Sequence, residues 1–136
     1  MDLEILEIAS NTENNKVVIN HTHSSRHKNA MCGDTMQVSL IIKKNIIREF
    51  GYQCKSCVYC QAAVSLLSRN AINKSTESLK NLIKITENFF EKENFTFPKE
   101  WSVFKKLFKK KNIVRKECLK LPFKTLSKAL KKWNYL

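Results

Sequence analysis

Residues 35–63 read TMQVSLIIKKNIIREFGYQCKSCVYCQAA, and a change of period inside this stretch decides the fold. Across residues 35–42, Met36, Val38, Leu40 and Ile42 alternate with Gln37 and Ser39, the period of a strand with one face buried. Lys43, Lys44 and Asn45 make a turn, and IIREFGY returns as the second arm of a hairpin. Past Cys57 the spacing becomes helical, with Ala62, Ala63, Leu66 and Leu67 on one side until Arg69-Asn70 and Asn73-Lys74-Ser75 interrupt it.

Downstream of this stretch the helical period persists. Ser75 is placed to cap a helix whose apolar face is Leu79, Leu82, Ile83, Thr86, Phe89 and Phe90. Phe97-Pro98 ends the following loop, and Trp101, Phe104, Leu107 and Phe108 form another helical stripe. Pro122 suits the first turn of a last helix, where its missing N–H costs nothing, and Phe123, Leu126, Ala129, Leu130 and Trp133 make that helix's buried face. Upstream, Leu3, Leu6 and Ile8 predict a short amphipathic helix, residues 17–20 are a short β-branched run, and HTHSSRHKN reads as a polar loop leading to Cys32. Strands followed by helices make the chain α+β.

A chain of 136 residues with 43% hydrophobic content can bury one core without disulfide staples, so one domain is expected. Five cysteines leave one thiol unpaired in any disulfide scheme, and the MDLEILEIAS opening has neither a basic nor an apolar leader region. These features predict a reducing, cytoplasmic setting. Apolar runs fall far short of the ~20 residues that span a bilayer, so no membrane is expected as a partner. The net charge of +13 is unevenly spread: residues 1–98 hold 12 Lys/Arg against 10 Asp/Glu, and residues 99–136 hold 13 against 2. Such a basic segment suits nucleic acid, a lipid surface or an acidic protein, and selects none of them by itself.

Cys54, Cys57 and Cys60 are each separated by two residues. The spacing begins like a ferredoxin motif but lacks the fourth cysteine, since Gln61, Ala62, Ala63 and Val64 follow. His21, His23 and His27, in a polar loop, read as solvated side chains. Cys57 stands where a helix should begin, a position that favours thiolate, which makes it the best candidate of the three for a ligand or a sulfur-accepting nucleophile. Cys32-Gly33-Asp34 puts a thiol and a carboxylate on one loop, and Cys118 lies just before the expected start of the last helix. Three thiols and a carboxylate at element ends can make a four-ligand set for a tetrahedral metal or a small iron–sulfur cluster.

These residues resemble the NifU-like/IscU family of iron–sulfur cluster assembly scaffolds, most closely its SufU-like branch. The resemblance is carried by Cys32-Gly33-Asp34 opening a strand, IIRE before Cys57, Ala62 and Ser65 in the next helix, and RKECLKLPFKTLSKAL. The last is similar to the family's Arg-x-x-Cys-x-x-Leu segment entering its final helix. What the resemblance implies is one domain over residues 1–136, with a small antiparallel three-stranded sheet packed against four to five helices in the SufE/NifU-like manner. Cys32, Asp34, Cys57 and Cys118 would then converge to hold iron or a nascent [2Fe–2S] cluster, with zinc as the alternative. The implied partners are a cysteine desulfurase, with Cys118 and Cys57 as sulfur-accepting candidates, and the apo iron–sulfur proteins that receive the cluster.

The chain departs from the family at several positions. Cys54 stands where Gly is common, Cys60 is an additional thiol, and Glu117 precedes Cys118 where His or Lys is usual, which is expected to raise the Cys118 pKa. The Leu-Pro-Pro-Val-Lys segment of the IscU branch is replaced by KKNIVRKEC, so that branch's specialised chaperone is not expected.

Two other functions compete with the scaffold. One is a zinc-dependent sulfur acceptor, or sulfurtransferase, for a desulfurase. The other is a basic nucleic-acid-binding module with a structural zinc, in which Trp101, Phe104, Phe108, Phe123 and Trp133 would stack on bases. The helical spacing of those aromatics, on faces opposite the lysines, favours a core role, so nucleic acid is not expected as a partner. Lys109, Lys110, Lys111 and Arg115 are candidates for drawing an acidic partner toward Cys118.

Overall fold

The hairpin forms and is longer than its alternation suggests. In the computed structural model, which describes residues 2–91 and 96–131, β2 (Thr35–Lys43) pairs antiparallel with β3 (Ile46–Lys55). Lys44 and Asn45 turn the chain at φ of 53° and 63°, the left-handed conformation of a tight hairpin connection. A third strand, β1 (His23–Lys28), pairs antiparallel with the other edge of β2, giving the order β1-β2-β3.

β1 corrects the reading of residues 21–29 as a solvated loop. Its inward side chains are His23 and Ser25 instead of hydrophobes, so no apolar alternation announces the strand. Both are buried and both have polar contacts: the Ser25 hydroxyl donates to the Thr125 carbonyl at 2.6 Å, and His23 Nδ1 lies 2.8 Å from Thr22 Oγ1. Burial pushes the His23 pKa down, as expected for an imidazolium removed from water. His27 is half-buried, and its pKa is lowered by burial and then by Lys128 and Lys124.

Met36, Val38, Leu40, Ile42, Ile47, Phe50 and Tyr52 belong to a core shared with the helices. That core is closed by α2 (Val58–Ala71) and α4 (Lys116–Lys131), with α1 (Leu3–Ala9) packed on α2 and α3 (Thr76–Asn88) packed on α4. Asp2 caps α1 through the Glu4 N–H at 2.9 Å, and Ser75 caps α3 through the Ser78 N–H at 3.0 Å, as its position predicted.

The segment after α1 straps the sheet's outer face. The Tyr52 N–H donates to the Asn14 carbonyl at 3.0 Å, and the Val18 N–H donates to the Ser39 hydroxyl at 2.9 Å. Gly51 lies under this strap, where a Cβ would stand 2.5 Å from the Lys16 carbonyl oxygen.

Trp101, Phe104, Leu107 and Phe108 are buried as predicted, but Trp101 and Phe104 lie on 3-10 backbone (Lys99–Lys106) broken at Trp101, whose φ and ψ are −114° and 17°, and Leu107 and Phe108 follow its end. Phe104 and Phe108 each meet the Phe123 ring at 5.7 Å between centroids. Trp101, Phe104, Phe108 and Phe123 are thus committed to the core and offer no stacking surface, while Trp133 lies outside the described residues.

The last helix begins earlier than Pro122 suggested. A second 3-10 segment (Lys110–Arg115) delivers Lys116 already in helical conformation, at φ −56° and ψ −38°, so nucleation has occurred before the proline is reached. Pro122 therefore sits inside α4, with no N–H to give to the Cys118 carbonyl four residues back.

Candidate functional site

The loop between β1 and β2 is built around Asn29. This buried side chain accepts the Met31 N–H at 2.8 Å and the Cys32 N–H at 3.2 Å through Oδ1, and its backbone N–H donates to the Asp34 carbonyl at 2.8 Å. The loop closes through Gly33, whose φ of 77° belongs to the left-handed region where a Cβ is strained. Cys32 is therefore presented outward on an exposed loop, with Asp34 turned back toward the sheet end. The sequence signal for Asn29 is a local one, an Asn two residues before a turn N–H.

Cys57 is the N-cap of α2, and its side chain makes no capping hydrogen bond. Its backbone N–H instead donates to Asp34 Oδ2 at 3.3 Å, tying the helix start to the Cys32 loop. Cys118 arrives from the first turn of α4 rather than from the loop before it. One ligand atom each from Cys32, Asp34 and Cys118 lies within 4.8 Å of the others. Thiolates on a tetrahedral metal with bonds of about 2.3 Å stand roughly 3.8 Å apart, so side-chain rotation alone could close this group around an ion. Cys57 lies outside that trio but beside it, its thiol interacting with that of Cys118.

Burial pushes the Cys118 thiol up to about 12, helped by Cys57, Cys32 and Asp34 crowding the same space. Glu117 is not what raises it: that carboxylate is turned to Lys124 at 3.4 Å. Cys54 and Cys60 lie behind the site. Cys54 is half-buried at the end of β3 and Cys60 is fully buried in α2, and burial pushes both thiols up. Among the described residues the buried Ser56 hydroxyl has no hydrogen-bond partner, and it acts against the burial that raises the Cys54 and Cys60 thiols. Its place beside those thiols was not legible in the sequence, since serine before a helix start usually signals a cap.

The basic segment before Cys118 is partly neutralised within the chain. Lys109 pairs with Glu4 at 3.5 Å and Lys111 with Asp2 at 3.2 Å, both partners on or capping α1. Arg115 lies over the Tyr59 ring at 5.4 Å, which holds a cation over the first turn of α2.

The family profile described as the NifU-like N-terminal domain matches residues 2–134. The chain belongs to the NifU-like N-terminal domain family. This NifU-like chain is 31% identical over 105 residues to the iron–sulfur cluster assembly scaffold protein IscU of Thermotoga maritima, covering 77% of this chain and 74% of that one. Its fold is that of the NifU-like protein N-terminal crystal structure from Brucella abortus, with a TM-score of 0.86 at 22% identity, covering 96% of this chain and 91% of the other. A SufU structure from Fervidobacterium islandicum, assigned to cluster assembly in the SUF system, superposes equally well, with a TM-score of 0.86 at 21% identity and 96% of each chain covered. The three-stranded antiparallel sheet with its helices is thus the family fold, and the chain sits in the family of iron–sulfur cluster assembly scaffolds. No helix among the described residues is long and apolar enough to cross a membrane.

Proposed function

We propose that this NifU-like chain acts as a single-domain cytoplasmic scaffold that collects iron and sulfur at Cys32, Asp34, Cys57 and Cys118, builds a [2Fe–2S] cluster there and passes it to apo-proteins. The observation that carries the reading is the Cys32, Asp34 and Cys118 group, three donors from two distant segments within 4.8 Å. Soft thiolates hold iron firmly, while one carboxylate is a weaker, replaceable ligand through which a cluster can leave. Sulfur comes from a cysteine desulfurase and enters at Cys57, the more open thiol, because Cys118 is only 6% exposed. Anaerobic reconstitution with iron and sulfide tests this: charge-transfer absorbance is expected in wild type and lost in Cys57→Ser and Cys118→Ser. Its absence from wild type sinks the scaffold reading.

The same donor set also favours a second reading, a zinc-dependent sulfur acceptor, since thiolates and a carboxylate are ordinary zinc ligands. Metal analysis of anaerobically purified protein separates the two. Zinc as the resident metal, with desulfurase stimulation that Cys118→Ala abolishes, selects the acceptor.

A further inference from the structure

The thiol of Cys60 has no part in the scaffold site. It is fully buried, so it cannot collect metal or sulfur from solvent. Cys57 is the N-cap of α2 and Cys60 the third residue of the helix, the two positions from which, in a capping box, each side chain reaches the backbone N–H of the other residue. The Cys57 carbonyl accepts the Gln61 N–H at 3.0 Å, the first bond of the helix, while Cys57 itself keeps the extended backbone of an N-cap. Helical geometry then sets the two Cα atoms about 5 Å apart, inside the roughly 4.4–6.8 Å window that a disulfide spans. The Cys57 thiol is half-buried and engaged in no cap, so it can meet a donor outside and turn to Cys60 inside. An outer thiol and a sealed one in Cys-x-x-Cys spacing at a helix start is the arrangement of a dithiol redox pair.

We propose that Cys60 resolves a persulfide carried on Cys57, releasing sulfide beside Cys32, Asp34 and Cys118 and leaving a Cys57–Cys60 disulfide. The proposal rests on the reading of Cys57 as the sulfur acceptor. The Cys60 sulfur attacks Cys57 Sγ, and the bond from that atom to the terminal sulfur breaks. The terminal sulfur leaves with the electron pair as HS⁻ and takes the Cys60 proton to become H₂S. It is thereby reduced by two electrons while the two thiols are oxidised to the disulfide, so the release itself needs no outside reductant. A cellular dithiol reduces the disulfide afterwards and frees Cys57 for another turnover. The geometry suits this division of labour, because Cys32, Asp34 and Cys118 form a donor group without Cys57. Iron can therefore be held while Cys57 handles sulfur.

The test loads reduced, anaerobic protein with inorganic polysulfide, desalts it, and follows sulfide release and cysteine state by mass spectrometry. Trypsin cuts after Lys55 and Arg69, so Cys57 and Cys60 share one peptide while Cys54 lies in the preceding one. Wild type is expected to release sulfide and yield the 56–69 peptide lighter by two hydrogens. Cys60→Ala should keep its persulfide on Cys57 and release sulfide about tenfold more slowly, with Cys54→Ser behaving as wild type. Release from Cys60→Ala at the wild-type rate, or a disulfide joining the 56–69 peptide to the one holding Cys54, overturns the proposal. So does a wild-type persulfide that stays on Cys57, an outcome that leaves the scaffold reading intact. No sulfur on Cys57 in either protein removes both the proposal and sulfur acceptance at Cys57, while iron reconstitution still judges the scaffold. The wild-type peptide decides the question even if Cys60→Ala fails to fold.

Discussion

Replacing Gly51 with alanine should loosen the strap over the sheet without touching the thiol cluster. The new Cβ would stand 2.5 Å from the Lys16 carbonyl oxygen, 2.9 Å from Val18 Cγ2 and 3.2 Å from Ser39 Oγ. Carbon–oxygen contacts of this kind settle near 3.3 Å, so strand and strap must part by about 0.8 Å. Forcing extra volume into a packed site costs roughly 1–3 kcal/mol. The displacement also strains the Tyr52 N–H to Asn14 and Val18 N–H to Ser39 hydrogen bonds, each worth about 0.5–1.5 kcal/mol. Against this, alanine restricts the unfolded chain and returns about 0.4–1 kcal/mol. The losses win by about 2–3 kcal/mol, and at this chain length Tm should fall by about 6–15 °C. Thermal unfolding followed by circular dichroism measures it. Because the nearest atom belongs to the backbone, Lys16→Ala added to Gly51→Ala should not restore stability. A Tm for Gly51→Ala at or above that of wild type would refute the seating of the strap on the strand.

Other perturbations test separate parts of the molecule. Ser25→Ala removes the buried hydrogen bond from β1 to α4 and should cost about 0.5–1.5 kcal/mol, read from the urea midpoint. Phe104→Ala opens the aromatic core and should cost about 3–5 kcal/mol, with an unfolding transition shifted far more than that of Ser25→Ala. The pKa of His23 is lowered from 6.5 in the folded chain. As pH falls through that value the unfolded chain takes up the proton first, and stability declines. His23→Gln should therefore flatten the drop in Tm between neutral and mildly acidic pH, and an unchanged drop would count against the buried imidazole as its source.

The hairpin, the switch to helix after Cys57 and the Ser75 cap were legible because each is a local pattern: period two, period 3.6, and a short polar side chain before an apolar run. β1 was not. A strand that buries His23 and Ser25 carries no hydrophobic alternation, and its place is secured by partners such as Thr125, one hundred residues away. Pro122 misled for a related reason. Proline favours a helix start only where no helix is already running, and here the 3-10 segment before Lys116 had set the backbone. At the site, Cys32, Asp34, Cys57 and Cys118 could be singled out from motif order and resemblance. Asn29, which shapes the Cys32 loop, offered only a local turn signal, and whether Cys60 is secluded stayed open until the fold placed it.

By itself the sequence determined which residue types were available and where the chain must turn or coil, since those follow from neighbours a few positions apart. Only the tertiary structure decided that Cys32, Asp34 and Cys118 form a group while Cys57 stands beside it, and that Cys60 is sealed from solvent. Proximity and burial arise when the sheet end, α2 and α4 pack against one another, and no spacing along the chain encodes how closely distant segments will approach.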